Sequence, residues 1–284
     1  MAINRGTSPL HPADHRLTRS SSYIKPILSQ LPLGTGNALF HSLHKSSTIP
    51  SIYVQGLRTL LLGAPKPLPI FRATFSPGAR LVTNEGQTAT PLTNNTLYGA
   101  VVASYGLHAT LVADSDTTEY RKHGAKRFDL VAKNLLFPED GSKSHAYKAN
   151  VIFTIDGKRE VLDRKEHGYV LASLVSNLEK LFTISPASIP FDGKLRVVHF
   201  GPLGGERTMG VMKEAYNNGN HVGMDVVGYS AIDGIRIEFK EEGTTWQWRR
   251  CCIDGLIVGV EEDGWMDVEL VKAGEEAVSV VADI

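Results

Sequence analysis

The residues best suited to chemistry in this sequence form a short glycine loop that leads into a helix. The loop is Gly34-Thr35-Gly36-Asn37, and residues 38–44 after it have helical spacing. Glycines admit positive φ and let a ligand approach the backbone, while the free N–H groups and dipole of a helix N-terminus favour an anion. The pattern predicts a phosphate-binding turn. On spacing alone, a helix-capping loop without a ligand is an equally good interpretation.

Two helices and then a β-rich region must position this loop. Helices are predicted at residues 38–44, 52–62, 118–137 and 206–217. Strands are predicted at residues 70–75, 80–83, 97–104, 107–113, 151–155, 169–176, 180–185, 194–200, 222–227, 235–239, 246–253, 256–260 and 266–270. The dipeptides Asp233-Gly234 and Asp254-Gly255 favour tight antiparallel hairpins. Residues 70–272 are therefore expected to form a mainly antiparallel β-sandwich with few helices.

Composition and charge narrow the class of protein. The chain has 284 residues, with 30 basic and 30 acidic side chains, and no dense basic stripe, so nucleic acid is not an expected partner. No apolar run is long enough to cross a bilayer, and no hydrophobic signal core follows Met1. The two cysteines, Cys251 and Cys252, are adjacent and suggest neither a zinc site nor a disulfide. A cytoplasmic location is predicted, and the basic, serine-rich start is interpreted as a disordered leader rather than a transit peptide.

Several segments together resemble the diacylglycerol kinase and sphingosine kinase superfamily, most of all its sphingosine-kinase branch. The similar segments, in chain order, are Leu31-Pro32-Leu33-Gly34-Thr35-Gly36-Asn37-Ala38-Leu39, Ala113-Asp114-Ser115-Asp116, Tyr120-Arg121-x-x-Gly124-x-x-Arg127-Phe128, Phe191-Asp192-Gly193-Lys194-Leu195 and Cys252-Ile253-Asp254-Gly255. The resemblance covers about residues 31 to 270. It implies an ATP-NAD-kinase-like α/β domain followed by a β-sandwich.

The resemblance also implies roles for individual residues. Members of this superfamily transfer the γ-phosphoryl group of ATP, with Mg²⁺, to a hydroxyl of a lipid, here a sphingoid base or diacylglycerol. By resemblance, the nucleotide contacts are Gly34, Thr35, Gly36, Asn37, Arg121, Arg127, Asp254 and Gly255. Asp114 corresponds to the position that binds the polar head of the lipid. Peripheral contact with intracellular membranes would accompany such a substrate.

Spacing alone supports interpretations of the charged residues that require no ligand. Arg121 and Arg127 are six residues apart, so on one unbroken helix they would point about 120° from each other. On such a helix they are interpreted as solvent-exposed charges, unless Gly124 breaks the helix between them. Asp114 and Asp116 read first as turn and N-cap residues before the helix at residue 118.

The sequence departs from the superfamily at the catalytic loop. The Gly-Gly-Asp-Gly-Thr or Ser-Gly-Asp-Gly motif expected before Gly34 is absent, and Leu256 follows Asp254-Gly255 where a glutamate is common. No catalytic residue and no metal ligand is therefore assigned. The chain is interpreted as a leader (1–30), a remnant of a nucleotide-binding α/β domain (31–68), a β-sandwich (69–272) and a tail (273–284). Two hypotheses follow, a lipid kinase that lacks the N-terminal part of its catalytic domain, or a catalytically inactive relative that binds a lipid or a protein partner.

Overall fold

The computed structural model describes residues 24–45 and 47–283, so most of the predicted leader lies outside the described residues. The helices are α1 (Ala38–Leu43), α2 (Ile52–Leu62), α3 (Leu107–Ser115), α4 (Thr118–Arg121), α5 (Lys126–Leu136) and α6 (Gly205–Tyr216). The strands are β1 (Ile27–Leu28), β2 (Ala64–Pro67), β3 (Phe71–Phe75), β4 (Arg80–Thr83), β5 (Thr88–Pro91), β6 (Thr96–Gly99), β7 (Val102–Gly106), β8 (Tyr147–Ile155), β9 (Lys158–Val161), β10 (Glu166–His167), β11 (Tyr169–Ser173), β12 (Leu195–Phe200), β13 (Gly228–Ile232), β14 (Gly234–Phe239), β15 (Arg250–Ile253), β16 (Leu256–Gly259), β17 (Trp265–Leu270) and β18 (Ser279–Ala282).

Two large antiparallel sheets dominate the described part of the chain. One follows the order β10-β8-β14-β17-β3-β6 with β9 beside β8, and the other the order β13-β12-β11-β7-β15-β16-β4-β5. The predicted β-rich, mainly antiparallel fold is therefore confirmed. A third, three-stranded sheet has the order β1-β18-β2, and within the described residues only its β1–β18 pairing is parallel.

Burial along the strands shows how the layers stack. Strands β7, β11 and β12 of the eight-stranded sheet are buried at every position, whereas β3 in the other sheet alternates between buried and half-buried residues. A strand buried at every position is covered on both faces. One apolar core joins residues of both large sheets, and α3 packs on β7, β11 and β15. The helices thus form a further layer over the eight-stranded sheet, and the candidate site lies in that layer.

The segments at the two ends of the described chain meet in the three-stranded sheet. Ile27 pairs with Ser279, and β18 in turn pairs with β2. Segment 1–30, interpreted from the sequence as a disordered leader, and segment 273–284, interpreted as a tail, therefore each contribute a strand to this sheet. The α2 helix packs beside β18.

Two strand predictions around residue 100 are wrong. Residues 97–104 form two strands, β6 and β7, that belong to different sheets and are separated by a bend at Ala100 and Val101. Residues 107–113 belong to helix α3, because Gly106, with φ of 85°, turns the chain out of β7. An apolar run alone does not distinguish a buried strand from a buried helix, and here packing on the sheet decided the outcome.

Other local predictions need smaller corrections. The predicted helix at 118–137 is two helices, because Gly124 adopts a left-handed conformation with φ of 56° between α4 and α5. Residues 180–185 contain only an isolated bridge, and residues 222–227 begin in a 3-10 turn. The predicted strand at 246–253 begins as a 3-10 helix. Asp254-Gly255 forms the expected hairpin, but Asp233-Gly234 joins strands of two different sheets.

Helix α2 presents its apolar residues to solvent. Leu57 is 52% exposed and Leu61 79%, whereas the buried positions of the helix are Gln55, Gly56 and Thr59. An ordinary surface helix shows the reverse pattern. Contiguous exposed apolar surface promotes association.

We expect the double substitution Leu57→Lys and Leu61→Lys to reduce self-association of the chain without lowering its unfolding temperature. Both side chains are on the exposed face, so no core contact is lost. The measurement is light scattering behind size-exclusion chromatography over a concentration series. Leu181→Lys is the matched control, because Leu181 is 68% exposed but lies outside α2. An equal reduction in that control would contradict a role for α2.

Candidate ligand-binding site

A large cavity formed by described residues lies in the helical layer, over the eight-stranded sheet. Its volume is about 1780 Å³, and its wall is formed by the glycine loop, helices α3, α5 and α6, residues 82–86 and residues 245–257. The nine residues predicted from the sequence to bind ligand all line it, namely Gly34, Thr35, Gly36, Asn37, Asp114, Arg121, Arg127, Asp254 and Gly255. The structure therefore brings together residues that lie more than 200 positions apart in the chain.

The glycine loop is closed by its own asparagine. The Gly34 N–H donates to Asn37 Oδ1 at 3.0 Å, and Asn37 Nδ2 donates to the Gly34 carbonyl at 2.7 Å. Asn37, not a glycine, adopts the left-handed conformation, with φ of 51°. A Cβ on Gly36 would lie 3.1 Å from the Leu178 carbonyl oxygen, so this glycine is needed for close packing. The loop has the rigidity of a capping turn and still forms part of the cavity wall.

Arg121 and Arg127 converge on one carboxylate. Arg121 Nε and Nη2 donate to the two oxygens of Asp116 at 2.9 and 2.8 Å, and Arg127 Nη1 lies 3.8 Å from the same side chain. The left-handed Gly124 breaks the helix between the two arginines, so the 120° separation expected for one helix does not apply. The paired carboxylate raises the pKa of Arg121 above its ordinary value. Two fixed guanidinium groups form a suitable environment for a phosphate.

Asp254 holds the bend between the two large sheets. Its carboxylate accepts backbone N–H groups from Ala100 at 2.7 Å, Val101 at 3.0 Å and Val102 at 2.7 Å. Burial raises the pKa of Asp254 to about 6, although the three N–H donors favour the ionised form. Gly255 completes the hairpin with φ of 93°, after Asp254 with φ of 49°. These bonds give Asp254 a structural role at the bend. A nucleotide contact by Asp254 and Gly255 stays a prediction.

Asp114, predicted to bind a lipid head group, is paired with an arginine that the sequence analysis missed. Arg250 Nη1 donates to Asp114 Oδ1 at 2.7 Å, and Arg250 Nε donates to the Gln247 carbonyl at 2.8 Å. Arg250 is the first residue of β15, while Asp114 lies in the last turn of α3. The only local signal was a charged residue at the start of a buried strand.

Two further titratable groups in the wall, His108 and Cys252, are poor acid–base or nucleophilic catalysts at neutral pH. Burial lowers the pKa of His108 to about 4 and raises the pKa of Cys252 to about 12. His108 Nδ1 shares a hydrogen bond with Ser104 Oγ at 2.7 Å. Among the described residues, no cluster of three or more His, Cys, Asp or Glu side chains could hold a metal ion. The carboxylates of Asp116 and Asp254 already accept protein donors, so they do not fit a magnesium site.

Comparisons with known proteins support the fold. No family model and no curated protein matches the sequence. A candidate diacylglycerol kinase from Bacillus anthracis str. Sterne has a similar structure, with 13% identity, a TM-score of 0.53, and a match that covers 88% of this chain and 67% of that one. A second such structure gives 13% identity, coverages of 89% and 68%, and a TM-score of 0.50. A diacylglycerol kinase from the same organism gives 11% identity, coverages of 88% and 64%, and a TM-score of 0.47.

The fold is therefore that of the diacylglycerol kinase-like proteins, as the resemblance implied. The chain spans about two-thirds of the length of the solved proteins that it matches, with 67% and 68% of those chains covered at TM-scores of 0.50 or more. The sphingosine-kinase branch and the absent catalytic part remain predictions. No helix within the described ranges combines the length and apolar character that a membrane span requires.

Proposed function

We propose that this chain is a lipid-kinase-like protein that binds a lipid and ATP in its large cavity. The observation that carries the proposal is the convergence of all nine predicted ligand-binding residues on that one cavity. Its reaction would be transfer of the γ-phosphoryl group to a lipid hydroxyl, with a sphingoid base or diacylglycerol as the substrate class. Transfer requires a catalytic carboxylate that this sequence does not supply in the expected motif.

The size and lining of the cavity support an amphiphilic ligand beside a nucleotide. A volume of about 1780 Å³ exceeds the roughly 300–1,000 Å³ of a typical small-molecule pocket. Apolar side chains such as Leu111, Phe128 and Met212 line it together with the charged groups. Hydrocarbon and phosphate would therefore each find a matching part of the wall.

The charged groups support phosphate binding more than phosphate transfer. Arg121 and Arg127 are oriented by Asp116 and can neutralise an oxyanion. Mg²⁺ in such reactions neutralises charge on the phosphates and is held by one or two carboxylates together with those phosphates. The absence of the expected catalytic motif before Gly34 and the leucine at position 256 favour the second candidate function, a catalytically inactive protein that binds lipid or a protein partner. Where the inactive protein binds lipid, the two candidates share that binding step and differ in turnover.

We expect Arg121→Ala to weaken ATP binding about tenfold, which corresponds to about 1.4 kcal/mol. The reason is loss of a guanidinium group that Asp116 holds in the cavity wall. The measurement is isothermal titration of ATP into the purified chain. Arg72→Ala is the matched control, because Arg72 is paired with Glu269 at 2.8 Å on the seven-stranded sheet, outside the cavity wall.

Unchanged ATP affinity in Arg121→Ala would remove this role from the arginine. A phosphoryl-transfer assay with labelled ATP and mixed lipids then separates the two candidate functions. Labelled lipid indicates a kinase, whereas ATP and lipid binding without labelled product indicates the inactive protein. Absence of both ATP and lipid binding would contradict the proposed function itself.

A further inference from the structure

An arginine and two histidines meet where the edges of the two large sheets come together. Arg164 Nε donates to His167 Nδ1 at 3.3 Å, and Arg164 Nη2 donates to His199 Nδ1 at 2.5 Å. His167 lies in β10, the edge strand of the seven-stranded sheet, and His199 lies in β12, next to the edge of the eight-stranded sheet. None of the three side chains lines the large cavity. They form a separate group, called here the Arg164 cluster.

The hydrogen bonds of the Arg164 cluster fix the positions of its protons. A guanidinium group can only donate, so Nδ1 of each imidazole accepts and each ring carries its proton on Nε2. The Nε2–H of His167 donates to the Ala149 carbonyl at 3.1 Å. His199 is only 9% exposed, yet its Nε2–H retains accessible surface and has no acceptor among the described residues. A nearly buried ring thus presents one unused donor.

Arg164 supplies a positive charge that no carboxylate of the described residues neutralises. Burial lowers the pKa of its half-buried guanidinium group, and no neighbouring carboxylate raises it. Burial, reinforced by the charge of Arg164, lowers the pKa of His199 and of His167 to about 4, and Lys165 adds to the effect on His167. At neutral pH the cluster therefore carries one positive charge, on Arg164. A half-buried charge without a counter-ion is unfavourable, and an anion would relieve it.

Packing holds the donors of the cluster in place. The imidazole of His199 fills the space beside Gly228 of β13, where a Cβ would lie 2.2 Å from His199 Cε1. The ring of Phe153 lies 5.2 Å from the same imidazole, between centroids. Arg164 in turn is held by its two bonds to the histidines, while its Nη1 is accessible and has no acceptor among the described residues. Little ordering is left to be done when a ligand binds.

We propose that the Arg164 cluster binds a small oxyanion, a phosphate or sulfate group, through the N–H groups of Arg164 Nη1 and His199 Nε2. Both donors are unused and accessible, and they belong to side chains in direct contact. A charged N–H donor forms its strongest hydrogen bonds with oxyanions, and a guanidinium group suits phosphate oxygens. The proposal does not depend on the proposed function, because the cluster lies outside the cavity wall.

Titration of the purified full chain with sulfate, followed by the imidazole signals in NMR spectra, tests this site. Sulfate keeps two negative charges at neutral pH, and chloride at equal ionic strength is the reference. We expect saturable shifts of the His199 and His167 signals with half-saturation at about 1 mM. His199→Gln and His167→Gln identify these signals. His108 lines the cavity and is the internal reference for binding there.

Substitutions of Arg164 separate its charge from the shape of its donor group. Arg164→Met retains the apolar stem and removes the charge, so sulfate should bind at least tenfold more weakly. Arg164→Lys retains the charge without the fork of donors, so the loss should be smaller. Arg159→Met is the matched control, because Arg159 is an exposed residue of β9, five positions away, and its loss changes the net charge equally. It should alter sulfate binding less than twofold.

The phosphate group could belong to a soluble molecule or to a lipid head group, and two further titrations distinguish these sources. One uses inorganic phosphate, and the other uses phosphatidylcholine vesicles with and without phosphatidic acid. Binding to phosphatidic acid vesicles that is lost in Arg164→Met assigns the site to a lipid head group. Binding of inorganic phosphate without Arg164-dependent vesicle binding assigns it to a soluble phosphate. Either result supports an oxyanion site.

Three results would overturn the proposal. The first is absence of a saturable shift of the His199 signal up to about 10 mM sulfate. The second is equal weakening in Arg159→Met and Arg164→Met, which would show a nonspecific charge effect. The third is a sulfate-dependent shift of His108 alone, which would place the anion in the cavity. If Arg164→Met does not fold, the wild-type titration and Arg164→Lys still decide, and ATP and lipid binding in the cavity are measured independently.

Discussion

Replacing Asp254 with alanine is expected to lower the free energy of unfolding by about 4 kcal/mol, because each buried N–H donor that loses its acceptor costs about 1–3 kcal/mol. Three buried backbone N–H groups, those of Ala100, Val101 and Val102, would lose their acceptor together. These groups lie at the bend where the chain passes from β6 in one sheet to β7 in the other. Equilibrium unfolding in urea measures the change.

Asp233→Ala is the matched control for this substitution. Asp233 also precedes a glycine, but among the described residues it accepts only one backbone N–H, the exposed one of Gly157 at 3.0 Å. Its loss should lower the free energy of unfolding by less than about 1 kcal/mol. If Asp254→Ala left unfolding unchanged and reduced ATP affinity instead, the residue would serve the ligand and not the bend.

Acidification from pH 7.5 to 5.5 is expected to destabilise the protein by about 2 to 4 kcal/mol, well before most carboxylates titrate. Burial lowers the pKa values of four histidines, His41, His108, His167 and His199, from 6.5 to about 4. Between those two pH values the unfolded chain binds more protons than the folded one. The stability that these neutral histidines contribute is therefore present above pH 6.5 and is lost as the pH falls toward 4.

Asp254 acts in the opposite sense over part of the same range. Burial raises its pKa from 3.8 to about 6, so the folded chain binds the extra proton there and stability rises as the pH falls. We expect this single group to offset about 1 kcal/mol of the loss at pH 5.5. The histidines outnumber it, so the net change remains destabilising.

Urea unfolding at pH 7.5, 6.5 and 5.5 measures this dependence. His108→Gln should reduce the loss by about 1 kcal/mol, because one histidine with a lowered pKa is removed. His123→Gln is the matched control, since His123 is exposed. A free energy of unfolding that is constant between pH 7.5 and 5.5 would contradict the assignment of these histidines as neutral in the folded protein.

The part of the fold that could be predicted from sequence is the part specified by local patterns. Alternating apolar residues predicted strands that the structure has as β3, β14 and β17, and Asp-Gly between two apolar runs predicted the β15–β16 hairpin. Residues 107–113 lacked such a period, and their helix depends on packing against β7, β11 and β15. Asp233-Gly234 has the same turn chemistry as Asp254-Gly255, but its flanking strands separate into two sheets.

The candidate site likewise has residues that local sequence patterns predict and residues that they do not. The resemblance found nine residues of the cavity wall because they lie in short contiguous segments. Arg250 was missed because its partner, Asp114, lies 136 positions away and no local pattern links them. The convergence of Arg121 and Arg127 on Asp116 depended on the backbone conformation of Gly124, which spacing alone left open.

The three-stranded sheet has a consequence for synthesis of the protein. Strand β18 follows every other described strand in the chain, and it separates β1 from β2 in the sheet. Within the described residues, β1 and β2 each pair only with β18, so neither can find its partner until that strand has left the ribosome. Both large sheets can assemble earlier, because all their strands precede β18. Translation therefore leaves β1, β2 and the neighbouring α2 without their partner in this sheet until β18 has been made.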